Sequence, residues 1–132
     1  MPDLQKNGHQ GLNLLNATDA AKQIAAGHIT SQQLVADCLQ RIQERDPVIG
    51  AWKFLDPHHA LAQARACDNG ERTGPLLGVP VGIKDNFDTK DMPTEYGTAI
   101  YPGHRPKADT QSVATLKRAG AVILGKTGTS EF

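Results

Sequence analysis

A lysine at the end of an apolar strand is the residue of this sequence best suited to chemistry. Lys84 lies in residues 79–86, VPVGIKDN, and strand ends are where α/β proteins place ligand-binding and catalytic groups. Lysine acts as a base only when neutral, and burial or a nearby positive charge favours that form. Asp85 would oppose it from the same side, but successive strand residues point to opposite faces. The local pattern leaves open a catalytic base or an exposed lysine in a turn.

A second motif matches the written form of a phosphate-binding loop. Residues 120–127, GAVILGKT, fit G-x-x-x-x-G-K-[ST]. Such a loop follows a strand and opens a helix, and its backbone amides face the phosphate. Here a predicted helix precedes the first glycine, and the middle residues are apolar and strand-forming. We interpret the segment as a buried strand followed by a turn, and nucleotide binding is the weaker hypothesis.

Two predicted helices lie near the start of the chain. Thr18 is a good N-cap for a first helix, which Gly27 ends. Thr30 begins a second helix with a capping box. Residues 46–47, Asp-Pro, should end that helix, because a residue before proline avoids helical geometry.

Two more helices are predicted further along. Asp56 followed by proline starts a third helix that runs to about residue 68. Asp109 should cap a fourth helix, which ends at Gly120.

The strands predicted between these helices set the fold class. They cover residues 51–55, 79–83 and 121–124, and residues 85–108 form a long loop of the kind that is usually functional or disordered. Pro80 indicates an edge or irregular strand. This order of elements favours an α/β layered domain with a partly parallel sheet.

Composition excludes several classes of protein. The 132 residues carry 14 Lys plus Arg and 14 Asp plus Glu, so nothing electrostatic favours a nucleic-acid or membrane partner. Cys38 and Cys67 form neither a disulfide framework nor a zinc site, and we expect a reducing, cytoplasmic compartment. His58 and His59 are adjacent on a predicted helix and do not share a face, which favours surface residues over metal ligands.

Several linked segments resemble the amidase signature family. Residues 74–86, GPLLGVPVGIKDN, are similar to the family's first conserved block, and residues 93–98, PTEYGT, to its following loop. Residues 109–132 resemble the next helix and strand, and residues 18–68 the N-terminal helical lead. Linked blocks in the right order make the resemblance far more specific than any single motif.

The resemblance implies a mixed sheet covered by helices on both sides. It also implies hydrolysis of a small-molecule carboxamide by a Ser–cis-Ser–Lys triad, with Lys84 as the catalytic lysine. The neutral lysine would take a proton from a bridging serine, which in turn deprotonates the serine nucleophile. Backbone amides of a Gly-rich loop would stabilise the oxyanion, and no metal or organic cofactor is needed.

The resemblance provides the lysine but neither serine. The family's two serines lie in a Gly- and Ser-rich segment downstream of the stretch that matches residues 126–132. Ser31, Ser112 and Ser130 are the only serines of this chain, and none matches either position. We therefore expect the isolated chain to have no amidase activity.

Domain organisation and substrate follow from the same comparison. Residues 1–16 are predicted to be a flexible lead, and residues 17–132 a truncated N-terminal part of one amidase domain. A stand-alone amidase is favoured, because residues 128–132, GTSEF, differ from the NMDEF-like stretch of the glutamine-hydrolysing subunit of tRNA-dependent amidotransferases. That glutamine-hydrolysing subunit is one alternative, and a non-catalytic truncated gene product is another. The amide substrate, the pH optimum and the oligomeric state stay open.

Overall fold

A computed structural model describes residues 11–132 of the chain. Its helices are α1 (Ala17–Ala25), α2 (Ser31–Ile49), α3 (Pro57–Asp68) and α4 (Gln111–Arg118), with a 3-10 turn at Leu12–Leu14. Its strands are β1 (Trp52–Leu55), β2 (Pro80–Lys84) and β3 (Val122–Thr127).

The three strands form one mixed sheet in the order β1-β3-β2. β1 runs antiparallel to the central β3, and β2 runs parallel to it, with Lys84 opposite Thr127. Because parallel strands end at the same edge, the carboxyl ends of β2 and β3 lie side by side. The predicted α/β class with a partly parallel sheet is confirmed.

Helices cover both faces of this sheet. Val35 of α2 and Ala64 of α3 pack with Val122 and Leu124 of β3 in one buried cluster. On the other face, Val113 of α4 packs with Ile83 of β2, Ile123 of β3 and Met92 of the long loop. A third cluster joins α1 and α2 around Ala20, Leu34 and Val79.

The starts of α1 and α2 test two predicted caps. The Asn16 side chain, not Thr18, accepts the backbone N–H of Asp19 at 2.8 Å, so the prediction of Thr18 as the cap is wrong. The capping box of α2 is confirmed, because Thr30 and Gln33 each accept the other's backbone N–H, at 3.1 and 2.9 Å.

The predicted end of α2 at residues 46–47 is also wrong. The helix continues through Pro47 to Ile49, since proline removes one backbone donor but keeps a helical φ. Gly50 then ends it in the left-handed conformation, with φ 65° and its N–H donating to the Asp46 carbonyl at 2.7 Å.

The fourth helix begins one residue later than predicted. Thr110, not Asp109, is the N-cap, and its side chain accepts the N–H of Val113. The Asp109 carboxylate instead accepts the N–H of Lys90 at 2.9 Å and the ammonium of Lys117 at 2.9 Å. Asp109 thus joins the long loop to α4.

The strand predictions are close, but β3 is longer than the predicted 121–124. It includes Gly125 and Lys126, because a glycine lets β1 approach at this point. A Cβ on Gly125 would lie 2.1 Å from the carbonyl oxygen of Phe54. Residues 85–108 contain no helix or strand, as predicted.

The start of the chain was predicted as a flexible lead over residues 1–16. Residues 1–10 lie outside the described part. Within residues 11–16, Leu12 and Leu15 pack against the third buried cluster, and Asn13 Nδ2 donates to Asp37 Oδ2 at 2.6 Å. No helix within residues 11–132 is long and apolar enough to cross a membrane.

Candidate active site

Lys84 is the last residue of β2 and lies at the carboxyl edge of the sheet. Its backbone is fixed on both sides, because the N–H of Asp85 donates to the Thr127 carbonyl at 2.9 Å and the N–H of Phe87 donates to the Lys84 carbonyl at 3.0 Å. Its side chain is exposed, and no carboxylate of residues 11–132 lies within ion-pair distance of Nζ. The predicted base is therefore an amine on a fixed backbone, unpaired within the described residues.

Asp85 points away from Lys84 into the protein. It is 3% exposed, and its Oδ1 lies 3.3 Å from the Nζ of Lys126, which is 0% exposed. Alternation along the strand explains the separation of Lys84 from Asp85. The carboxylate that follows the candidate base is committed to a different lysine.

The Lys126 ammonium also anchors the loop that follows β2. It donates to Oγ1 of Thr94 at 2.7 Å and of Thr89 at 3.2 Å, and to the carbonyls of Phe87 at 3.0 Å and Pro93 at 3.4 Å. These residues belong to the segment 87–94, so one buried ammonium of β3 holds that segment against the sheet.

The last residues of the chain lie along the same edge. Tyr96 connects the residues that follow β2 to those that follow β3. Its N–H donates to the Asp85 carbonyl at 3.0 Å, and its carbonyl accepts the N–H of Phe132 at 2.9 Å. Thr98 Oγ1 donates to Glu131 at 3.1 Å. The carboxyl edge thus carries two loops, one from each parallel strand.

Two carboxylates of the long loop, Asp88 and Asp91, each contact other titratable side chains. The Tyr96 hydroxyl donates to Asp88, and this hydrogen bond, with burial, raises the pKa of Tyr96 to about 12. The Asp91 carboxylate lies 3.1 Å from both His59 Nε2 and Lys117 Nζ. His58 is exposed and His59 is half-buried against Asp91.

Metal and thiol chemistry find little support in the described residues. No group of three or more His, Cys, Asp or Glu within residues 11–132 is placed to hold a metal ion. Burial and the nearby Asp37 raise the pKa of Cys38 to about 11, so its thiol is a poor nucleophile near neutral pH.

None of the three serines is hydrogen-bonded to Lys84. Ser31 is buried, and its hydroxyl donates to the Gly78 carbonyl at 2.8 Å. Ser112 lies in the first turn of α4 beside Thr110, and Ser130 is exposed. The lysine and these serines do not form a catalytic group among the described residues.

The segment that resembles a phosphate-binding loop is a strand. Residues 122–127 form β3, and the motif's lysine, Lys126, is buried among oxygen atoms of the protein. The structure agrees with the interpretation of a buried strand.

An apolar groove of about 890 Å³ lies away from this edge, between α2 and α3. Its lining includes Leu39, Ile42, Pro47, Leu55 and Leu61, and not Lys84. The groove therefore lies apart from the candidate site, and the one titratable side chain in its lining, Asp46, accepts the backbone N–H of Ala51 at 2.6 Å.

Sequence reasoning missed the role of Lys126. One signal was available, because a lysine inside an otherwise apolar strand must find oxygen partners when it is buried. Nothing in the sequence around Asp85, Thr89 and Thr94 indicates that these residues are the partners of Lys126.

Comparison with known proteins agrees with these features. The family model described as Amidase matches residues 33–132. The chain is 43% identical over 122 residues to the A subunit of the glutamyl-tRNA(Gln) amidotransferase of Streptomyces coelicolor, covering 89% of this chain and 24% of that protein. It is 40% identical over 124 residues to the putative amidase AmiD of Mycobacterium tuberculosis, covering 91% and 26%.

A solved structure gives the same result for the fold. The native peptide amidase of Stenotrophomonas maltophilia superposes with a TM-score of 0.80 and 37% identity, over 88% of this chain and 25% of that one. The chain thus spans about a quarter of the length of the relatives it matches. With a family model that matches residues 33–132 and a relative at 43% identity, the chain belongs to the amidase signature family.

Proposed function

We propose that this chain provides the lysine base of an amide hydrolase. The observation that carries the proposal is the position of Lys84 at the carboxyl edge of the sheet. Its amine has no acidic partner among residues 11–132, and the neighbouring carboxylate is paired elsewhere. The amine is exposed in this part of the domain, so the burial that favours a neutral lysine would come from the rest of the domain. A lysine held in an ion pair with its neighbour would be kept charged and could not accept a proton.

In the proposed reaction, Lys84 takes a proton from a bridging serine. That serine deprotonates the serine nucleophile, whose oxygen attacks the amide carbon to give an acyl-enzyme. The proton returns through the same groups to the leaving ammonia or amine, and water then releases the acid. Both serines and the oxyanion donors would come from outside these 132 residues. Ser31, Ser112 and Ser130 are the serines of this chain, and none is hydrogen-bonded to Lys84 in the part that the structure describes.

The proposed substrate is a small carboxamide hydrolysed by a stand-alone enzyme. The GTSEF sequence of residues 128–132 supports this over the glutamine-hydrolysing part of an amidotransferase. The name of the peptide amidase and that of the putative amidase AmiD are in line with it. The 43% identity to the Streptomyces coelicolor protein favours the second candidate, glutamine hydrolysis in a tRNA-dependent amidotransferase.

A hybrid enzyme tests the main proposal. Residues 33–132 would replace the matching segment of the Stenotrophomonas peptide amidase, and hydrolysis of an aryl amide would be measured. We expect the hybrid to be active and Lys84→Ala to lower its activity by about 10²–10⁴-fold. Lys107 is an exposed lysine on the long loop, and Lys107→Ala should keep the activity. The isolated 132-residue chain should show no hydrolysis. A folded but inactive hybrid, or hydrolysis by the isolated chain that is lost on Lys84→Ala, would contradict the proposal.

The glutamine candidate needs a different assay. Ammonia release from glutamine would be measured on a hybrid of residues 33–132 with the Streptomyces coelicolor protein, with and without the other subunits of that amidotransferase. Ammonia release that depends on those subunits, with no aryl-amide hydrolysis, favours the second candidate. The non-catalytic alternative is supported if the gene shows no continuing frame with a Gly- and Ser-rich segment after the codon for Phe132.

A further inference from the structure

Lys126 is a fully buried lysine that the proposed reaction does not use. It is 0% exposed, and its Nζ lies within 3.4 Å of five oxygen atoms of the segment 85–94. An ammonium group has only three protons, so several of these contacts are shared.

Burial and the nearby carboxylate have opposite effects on the pKa of Lys126. Burial lowers the pKa of Lys126, and the Asp85 carboxylate acts in the opposite direction. The ammonium is also hydrogen-bonded to two threonine hydroxyls, those of Thr89 and Thr94. A buried carboxylate that loses its cation is costly to keep in place.

The geometry assigns Lys126 as a positioning residue for Lys84, which holds Asp85 inside the protein and so keeps the Lys84 amine free of a carboxylate. This inference rests on the proposed function, because it gives the purpose of the arrangement only if Lys84 is the base. Lys126 itself touches no part of the candidate reaction.

The inference follows from the order of residues along β2. Ile83 and Asp85 are both buried, and Lys84 between them is exposed, which is the alternation that an extended backbone produces. Without the Lys126 ammonium, the segment 85–94 loses its central donor. The Asp85 carboxylate would keep only the long hydrogen bonds from the Glu95 N–H, at 3.3 and 3.4 Å. We expect it to turn to solvent, where Lys84 is the cation adjacent to it in the chain. The new pair would hold Lys84 in the charged form.

The reactivity of the Lys84 amine tests this without any hydrolysis. The full 132-residue chain would be treated at pH 9 with a trace of acetic anhydride, and the acetylation of Lys84 and Lys107 compared by peptide mass spectrometry. For Lys126→Met we expect the Lys84-to-Lys107 ratio to fall about fivefold, the effect of one charge near 4 Å in water. The double variant Asp85→Asn, Lys126→Met should restore the ratio to that of the unmodified chain.

The single variant Asp85→Asn tests the inference even if Lys126→Met does not fold. That variant keeps the Lys126 ammonium with four oxygen partners, and we expect its ratio to stay within twofold, because the carboxylate is already held away from Lys84. A severalfold rise would overturn the inference, as would a ratio that is unchanged in folded Lys126→Met. A hybrid enzyme that stays active after Lys84→Ala would instead overturn the proposed function and leave these ratios as they are.

Discussion

Lys84 and Asp85 are neighbours in the chain but have opposite surroundings: Lys84 is exposed and unpaired within the described residues, whereas Asp85 is 3% exposed and paired with Lys126. The separation gives two adjacent charged residues different roles. Asp85 joins the loop to β3, and Lys84 remains available at the carboxyl edge. The proposed activity depends on this division.

The Asp91 carboxylate should make stability sensitive to acid. Burial alone would raise the pKa of Asp91, but His59 and Lys117 outweigh it and hold that pKa below the ordinary value of 3.8. A lowered folded-state pKa stabilises the fold above the unfolded value, and this contribution is lost as the pH falls through the folded value. We therefore expect the free energy of unfolding to fall as the pH drops below about 5.

Two variants separate this carboxylate from the others. Asp91→Asn should lower stability at pH 7 and flatten its decline in acid, as measured by urea unfolding at several pH values. Glu71→Gln, at an exposed position, should leave both unchanged. An equally steep decline in Asp91→Asn would show that the ion pairs of Asp91 do not set the acid response.

The N-cap of α1 gives a second prediction. Asn16→Ala should cost about 1 kcal/mol, because the Asp19 N–H loses its acceptor. Thr18→Ala is the matched control inside the helix and should change stability by less than about 0.5 kcal/mol. Thermal unfolding of both variants gives the comparison, and a larger loss in Thr18→Ala would restore the cap predicted from the sequence.

A side chain at position 125 should destabilise the fold. Gly125→Ala would place a Cβ 2.1 Å from the Phe54 carbonyl oxygen and force β1 away from β3. We expect a loss of about 1–3 kcal/mol, typical of overpacking. At Gly128 the nearest atom would be 3.7 Å away, so Gly128→Ala should cost far less. Equal losses in urea unfolding would argue against the close approach of β1.

The side chain of Gln63 should contribute strongly to the packing of α3 on the sheet. It donates to the Ile123 carbonyl and accepts the Ile123 N–H, both at 2.9 Å. Gln63→Ala leaves both backbone groups without a partner, and we expect a loss of about 1–3 kcal/mol. Gln43→Ala, on the exposed part of α2, is the control and should be nearly neutral. Amide exchange at Ile123 should accelerate in Gln63→Ala only.

Local signals in the sequence predicted most of the elements. The capping box at Thr30 and the Asp56-Pro57 start of α3 are determined by hydrogen bonds within a few residues, and both are confirmed. Caps with several candidate residues nearby failed, as at Thr18 and Asp109. At Asp109 the choice depends on Lys90 and Lys117, which lie 19 and 8 residues away in the chain. At Thr18 a nearby residue of similar capping strength, Asn16, takes the role.

The candidate site, too, is predicted from the sequence only in part. The position of Lys84 at a strand end follows from the apolar run before it, whereas its role came from the family resemblance and stays a prediction. The partners of Lys126 come from residues 85–94, which are distant in sequence and brought together only by the parallel pairing of β2 and β3. No local pattern contains that information.

The most direct test of the central claim is kcat/KM for aryl-amide hydrolysis by the hybrid enzyme and its Lys84→Ala and Lys84→Arg variants. The account predicts losses of about 10²–10⁴-fold in both, because arginine keeps the charge but does not give up its proton to become a base. Activity within threefold of the unmodified hybrid in either variant would show that Lys84 is not the base.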